Sequence, residues 1–475
     1  MPCKIVIIGA HAAGVDAASA ARKIDRKAEI TLITKESVAG YSRCGIPFVL
    51  AGEIMNFEDL IVFPRSYFEM MKLNLKLNTT VTKIDTKSKL VIAEGKNGVE
   101  EIPYDKLILT TGARPFVPPI EGRDKQGVFT VRTLGDGKKI EKAMKKAKSA
   151  VVVGAGLIGL EVAAALVRRG IKTTVVELLP QVLPTMLDPD MAEIVKRKLE
   201  EKGLKIILNT RVDEILGKEK VEKISMNAEK THGYTFEELP ADMVIVATGI
   251  RPNVELAKEA GIAIGETKGI KTNSKMETSI EDVFAAGDCA ETINPITSYP
   301  TLNQLGTTAV RQARVAGINA AGGDVRFNGV IGTAVTKLFD FEVGATGLTE
   351  NTAKKLGIDV TVATITSKTR ASYYPGALPI KIKIVAEKET NRIIGAQIIG
   401  GEAVTQRINL LSLAIRKRMT LEDLANMETC YAPPLSETWE PIVLAALYSK
   451  PIRRIVYRKK EVIAVKKRLP KKAVA

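Results

Sequence analysis

Ala150-Val-Val-Val153 running into Gly154-Ala-Gly-Leu-Ile-Gly159 is the stretch whose reading decides the fold. An apolar run without alternation predicts a strand buried on both faces. The glycines predict a tight turn into a helix ending at Gly170, and Lys172–Glu177 predicts the next parallel strand. Such a turn brings a pyrophosphate against backbone N–H groups at a helix N-terminus, where the dipole favours negative charge. Glu177 lies 23 residues after Gly154, where a carboxylate accepts hydrogen bonds from ribose hydroxyls and repels a 2′-phosphate. Gly154, Gly156, Gly159 and Glu177 therefore predict an NADH site, with NADPH as the alternative.

The unit recurs near the N-terminus. Lys4–Ile8 predicts a strand, Gly9-Ala-His-Ala-Ala-Gly14 the turn, Val15–Ile24 a helix of small residues and Glu29–Thr34 the second strand. His11 replaces the middle glycine, Thr34 stands where the ribose-binding acid belongs, and Glu36 follows as a substitute. These departures read either as local adjustments around FAD or as weaker nucleotide binding, and the first is preferred. A second phrase also repeats: Lys106–Thr111 enters Gly112-Ala-Arg-Pro115, and Met243–Thr248 enters Gly249-Ile-Arg-Pro252. Each predicts a buried strand that breaks at glycine as the chain passes between nucleotide domains. Asp282–Asp288 predicts another strand, ending where Asp288 can hold ribityl hydroxyls. From about 326 five strand-like runs precede a helix at 402–416, which predicts an antiparallel α+β domain without a phosphate loop.

Between the first unit and its continuation lies Gly40-Tyr-Ser-Arg-Cys-Gly-Ile-Pro47. Pro47 predicts a helix start and Gly52 its end. Cys44 is then expected at the positive end of a helix with Arg43 beside it, both favouring the thiolate. Four widely spaced cysteines (Cys3, Cys44, Cys289, Cys430) fit a reducing, cytoplasmic setting and no metal-site spacing. The chain of 475 residues shows neither a signal peptide nor an apolar run long enough to span a membrane. Its net charge is +16, of which the segment from Lys450 carries +10. That basic tail is read as a solvated extension, without specific nucleic-acid binding.

Together these phrases, with Tyr373-Tyr-Pro-Gly376 and Tyr431-Ala-Pro-Pro434, resemble the pyridine nucleotide–disulfide oxidoreductases over roughly residues 3–448. The resemblance is to the single-cysteine branch of coenzyme A-disulfide reductases, NADH oxidases and NADH peroxidases. It implies an α/β chain with two Rossmann-like dinucleotide-binding domains, for FAD and NAD, plus a C-terminal α+β dimerisation domain. The divisions expected are 1–115 and 250–325 for FAD, 116–249 for NAD(P)H, 326–449 for the dimer interface, and 450–475 for the tail. Expected FAD contacts are Gly9, His11, Gly14, Thr34, Glu36, Arg43, Gly112, Arg132 and Asp288, and Gly249 joins the NAD set. A homodimer sharing active sites across its interface is implied. Tyr373, Tyr374 and Tyr431 would then stand beside the partner's cysteine, and Glu161 beside the nicotinamide.

Two-cysteine reductases space their pair C-x₄-C, but Val49 holds the second place after Cys44. Cys44 must therefore cycle through a mixed disulfide, a persulfide or a sulfenic acid. The only histidines, His11 and His232, lie outside the C-terminal domain, which leaves tyrosines as proton donors. Ser42, Arg22 and Arg26 are expected at a substrate such as coenzyme A. The reading is NADH-driven reduction of coenzyme A disulfide, polysulfide or sulfur through a flavin and Cys44. Its rivals are an NADH oxidase acting on oxygen, and a flavin reductase for a protein electron carrier docking on the tail. Cys430 is carried as a resolving thiol.

Overall fold

The computed structural model describes residues 1–230 and 233–449, and side chains outside 228–236. His232 and the basic tail, including the strand expected within Ile452–Val465, lie outside the described residues.

Alternating apolar strands and small-residue helices build the first unit. β1 (Lys4–Ile8), α1 (Ala12–Ile24), β2 (Glu29–Ile33) and β3 (Leu73–Lys76) form one half of a five-stranded sheet. Strands Lys106–Leu109 and Val283–Ala285 complete it on the other side of β1, all in parallel register. The late strand brings residues near 288 back to the first glycine loop. Helix Gly306–Ala320 lies across α1 so closely that a Cβ on Gly317 would sit 2.1 Å from the Ala17 carbonyl oxygen. That backbone contact explains why α1 is written in alanines rather than in larger apolar residues.

The second unit repeats the pattern. Its parallel sheet runs Lys205–Ile207, Lys172–Val176, Ser149–Val153, Met243–Val246, Val128–Phe129. The two Gly-x-Arg-Pro phrases do more than exit their sheets: Ala113–Pro115 and Ile250–Pro252 pair antiparallel with each other, Arg114 opposite Arg251. A two-stranded ribbon thus carries the chain out of the first unit and back again. Residues 334–400 form the antiparallel sheet Ala334–Leu338, Phe341–Gly347, Ile393–Gly400, Pro379–Glu387, Val360–Lys368, backed by helix Val404–Arg416. All five expected strands and the helix are present, each within a few residues of its expected ends. The cores are aliphatic: Ile5, Ile7, Leu32, Leu107 and Leu109 are wholly buried in the first, Leu160, Val175 and Ile245 in the second.

Candidate functional site

Arg43–Gly45 forms a single 3₁₀ turn that leads into α2 (Ile46–Ala51), with Pro47 in the first turn and Gly52 closing the helix at φ +79°. Val49 is buried in α2, so the position that would hold a second cysteine faces the core. Cys44 is free and open to solvent at the mouth of this helix. Enough protein nonetheless surrounds its sulfur to make burial the leading influence on its protonation. Burial, then the carboxylates Glu161 and Asp288, push the thiol up, and Arg132 and Arg43 only partly oppose them.

The expectation that Arg43 and the helix hold a thiolate is thereby corrected. The Arg43 guanidinium is spent elsewhere: Nη2 donates to Glu36 Oε1 at 2.6 Å and Nη1 to the Arg132 carbonyl at 2.9 Å. The helix behind Cys44 has only six residues. Iodoacetamide labelling of Cys44 in the flavin-free chain should therefore rise with pH past the ordinary thiol midpoint. Glu161→Gln or Asp288→Asn should move that midpoint down, since each removes a negative charge. A midpoint below that of free cysteine in the parent chain would contradict this electrostatic account.

The two carboxylates reach the cleft from different units. Glu161 sits on helix Leu157–Arg168 of the second unit, and its Oε1 accepts a hydrogen bond from Thr336 Oγ1 at 2.6 Å. Burial raises the Glu161 carboxyl, and the threonine bond only partly offsets this. Thr336 belongs to the first strand of the C-terminal sheet, so all three units contribute to the surroundings of the sulfur. Asp288 pairs with Arg132, Nη2 to Oδ2 at 2.8 Å, while Arg132 Nε is buried without a partner.

Both glycine loops stand at the carboxyl ends of their central strands, each followed by a helix N-terminus. A Cβ on Gly9 would lie 2.2 Å from the Thr110 carbonyl oxygen, and Gly9 has φ +115°, so glycine is demanded by the chain itself. Gly14 and Gly159 each touch the first glycine of their own loop, where a Cβ would fall 1.9 and 2.1 Å from its carbonyl oxygen. Gly156 differs: a Cβ there meets nothing within 4 Å. Nothing inside the protein requires a glycine at that helix cap, which fits backbone kept bare for a phosphate. A Cβ on Gly249 also meets nothing within 4 Å, but its φ of +111° demands glycine there, and Gly154 packs on Ala247. Glu177 is 8% exposed; its Oε2 accepts from the Ala155 N–H at 2.6 Å and its Oε1 from the Leu179 N–H at 2.8 Å. The carboxylate thus pins the glycine loop, with lone pairs to spare for a ribose.

In the first loop the capping position is taken by His11, the counterpart of Gly156. Its ring packs edge-to-face on Tyr41 with centroids 4.6 Å apart, and its Nε2 lies 3.1 Å from Glu36 Oε1. Glu36 also receives the Tyr41 hydroxyl at 2.6 Å. Burial opposes its charge, but His11, Arg43 and Tyr41 overcome that and bring the carboxyl down to about 2. Burial dominates at His11 and lowers it, so the ring is neutral and its contact with Glu36 is a hydrogen bond, not an ion pair. Thr34 is buried, and its hydroxyl accepts from the Glu36 N–H at 3.3 Å. Gly112 lies against Arg132, a built Cβ falling 3.5 Å from Nη2. The bare cap at Gly156, the buried Arg132 Nε and the buried, unpartnered His11 Nδ1 are the features that fit two bound dinucleotides.

Arg22, expected at a substrate, is half-buried. Its guanidinium donates to five carbonyls, those of Met71, Asp25, Arg26, Ala28 and Lys72, and so ties the end of α1 to the segment before β3. Sequence shows its charge but not these partners. Arg26 is exposed, and Ser42 is half-buried with its N–H on the Leu60 carbonyl. Tyr373 and Tyr431 share a hydroxyl–hydroxyl hydrogen bond of 2.8 Å, which their separation of 58 residues did not announce. Tyr374 stands outside that pair, and Cys430 is exposed beside Tyr431. Cys289 is buried with its sulfur on the Leu109 and Ala286 carbonyls. Thr336 was absent from the expected set, because nothing in the sequence links positions 161 and 336.

Comparison with known proteins agrees with this geometry. Residues 3–317 match the family described as pyridine nucleotide-disulphide oxidoreductase, and 333–442 match its dimerisation domain. An NADH oxidase of Methanocaldococcus jannaschii is 47% identical over 447 residues, 93% of this chain and 98% of that protein. A CoA-dependent NAD(P)H sulfur oxidoreductase of Pyrococcus abyssi is 38% identical, over 93% of this chain and 97% of its own. A solved NAD-dependent persulfide reductase from A. fulgidus superposes with a TM-score of 0.90 at 39% identity, covering 94% of this chain and 82% of that one. With two glycine-loop units and these matches, the chain belongs to the pyridine nucleotide-disulphide oxidoreductases.

Proposed function

We propose that this protein is an FAD-dependent, NADH-driven reductase of low-molecular-weight disulfides and polysulfides, coenzyme A disulfide among them. The observation that carries the reading is Cys44: free, open to solvent, without a second cysteine in its helix, and facing carboxylates from both nucleotide units. Gly9, Gly14, His11, Glu36, Arg132 and Asp288 would hold FAD, and Gly154, Gly156, Gly159, Glu177 and Gly249 would hold NADH. When bound, FAD supplies a two-electron relay between NADH and sulfur.

The chain's residues do the rest. Cys44, once deprotonated, attacks one sulfur of RSSR, forming a Cys44–S–S–R bond and releasing RS⁻. The electron pair brought by NADH breaks that bond, and protons complete two RSH while Cys44 returns to thiolate. With polysulfide the same sulfur carries a persulfide. Burial first, and then Glu161 and Asp288, favour the thiol form of the resting sulfur, and the paired Tyr373 and Tyr431 hydroxyls are the proton donors offered to a partner subunit. Leu178 and Leu179 follow Glu177 and are exposed, so no cation there awaits a 2′-phosphate. This favours NADH.

A homodimer is part of the proposal: Tyr373, Tyr431, Leu435 and Trp439 are exposed together on the segment that matches the family's dimerisation domain. So are the divisions 1–115 with 250–325, 116–249 and 326–449, and a cytoplasmic setting. No helix among the described residues is long and apolar enough to cross a membrane. The second reading, an NADH oxidase, is favoured by the name of the 47%-identical relative. Steady-state turnover with coenzyme A disulfide, polysulfide and oxygen, measured side by side, decides between them. Faster NADH consumption with either sulfur substrate than with oxygen is expected, and the reverse order overturns the proposal.

A further inference from the structure

We infer that His11 takes up a proton when FAD binds, so that this protein grips its flavin nucleotide more tightly as the pH falls. The inference rests on the flavin reading above and adds a regulatory property to it. His11 caps the thirteen-residue helix α1 at the position where the second loop has the bare Gly156. Its Nε2 faces Glu36, which is ionised throughout the neutral range, so Nε2 bears the hydrogen and donates it. In a neutral ring Nδ1 is then a lone pair, and it is buried with no partner.

The groups facing the ring come from three segments. Glu36 follows β2, Tyr41 and Arg43 flank Cys44, and Arg132 lies in the crossover. Tyr41 is a neutral donor, fixed on Glu36, and its phenol is pushed up first of all by burial. One carboxylate against two guanidiniums leaves burial to decide, and the free ring is neutral. An anionic pyrophosphate at the α1 cap changes that balance. A lone pair set against phosphate oxygens is repelled, whereas an Nδ1–H is a donor to them. Binding therefore raises the histidine and draws in a proton. Gly156 offers no such group, so binding of NADH has no counterpart to this term.

The sign follows from linkage: between the free and the bound pKa of His11, affinity falls as pH rises. The test is the dissociation constant of FAD for the full-length chain stripped of flavin, measured by fluorescence from pH 6 to 9. The parent should weaken by up to about tenfold per pH unit within that window. His11→Gln and His11→Gly should show a flat profile across the same window. Equal slopes in parent and variants overturn the inference. Where a variant fails to fold, ¹⁵N-histidine NMR of the His232→Asn chain reads His11 directly, because the sequence has only two histidines. An imidazolium appearing on addition of FAD at pH 7 supports proton uptake, and a ring that stays neutral refutes it. A chain that binds no FAD at any pH refutes instead the flavin reading on which the inference stands.

Discussion

Cys44→Ser should lower turnover with coenzyme A disulfide about 10³-fold or more, some 4 kcal/mol of lost transition-state stabilisation, while NADH still reduces the flavin. A serine hydroxyl ionises far above any working pH and forms no bond to sulfur that an electron pair can reopen. No other thiol of the same subunit lies in the helix that follows Cys44. Val49 occupies the next turn of α2, and Cys289 is buried on two carbonyls. Cys3 lies at the start of β1 in the first core, remote in sequence and fold from α2. Cys430 is exposed on the C-terminal segment, and the resolving role expected of it requires the proposed dimer. Anaerobic mixing with NADH separates the two half-reactions. Flavin bleaching at the parent rate with no thiol release is the expected pattern. In air, the variant should still consume oxygen and yield peroxide. A variant that reduces coenzyme A disulfide at the parent rate would make Cys44 a bystander. Intact mass adds a second reading: a coenzyme A adduct on the parent that is missing from the serine variant locates the mixed disulfide.

The nucleotide units were legible because their physics is local. A glycine at φ +115° against Thr110 and a strand buried on both faces leave marks within a few residues. The five strands after 326 were legible for the same reason, through their apolar runs. What sequence could not supply was the partner of each charge. Arg43 and Arg22 were both read from their positions, beside a cysteine and after a helix, and both are committed elsewhere, one to Glu36 and the other to five carbonyls. The thiolate expectation failed with Arg43, since the charges acting most strongly on Cys44 are the carboxylates of Glu161 and Asp288, residues 117 and 244 positions away. The repeated Gly-x-Arg-Pro phrases were read as two separate exits, and only the three-dimensional register shows that they pair. Long-range pairing of this sort leaves no periodic trace in the chain.

The same limit hid a polar lock between the second unit and the C-terminal sheet, and Lys383→Met there should cost about 3–5 kcal/mol of stability. The Lys383 side chain is 4% exposed and reaches Asp188 at 3.2 Å, Asp190 at 2.8 Å and Glu350 at 2.8 Å. Asp188 is 1% exposed, and it also accepts from Gln397 Nε2 and from the N–H groups of Glu350 and Asn351. Removing the lysine leaves that carboxylate buried with dipoles but no counter-charge, and the desolvation it has already suffered is no longer offset. Asp190→Asn should cost less than about 1 kcal/mol, because half of that side chain lies in solvent.

The pH dependence is fixed by the neighbours. Glu350 is held below the usual carboxylate range first by Lys354 and then by Lys383. A carboxyl lowered on folding contributes stability above its unfolded pKa and loses it as pH falls through the folded one. Lys383 itself is raised: burial opposes its charge, but the three carboxylates outweigh it. Its contribution is complete at neutral pH and fades only as the pH climbs through its folded pKa. The gap between parent and Lys383→Met should therefore be widest near neutrality and narrow on strong acidification, as Glu350 protonates. Thermal unfolding of the holoprotein at about pH 3.5 and at pH 7.5 measures it, the lower pH lying beneath the ordinary carboxylate pKa, with limited proteolysis locating the first segment to open. Cleavage between the second unit and the 334–400 sheet is expected in the variant. Equal midpoints for variant and parent at pH 7.5 would show that the lysine and its carboxylates contribute no net stability to the join.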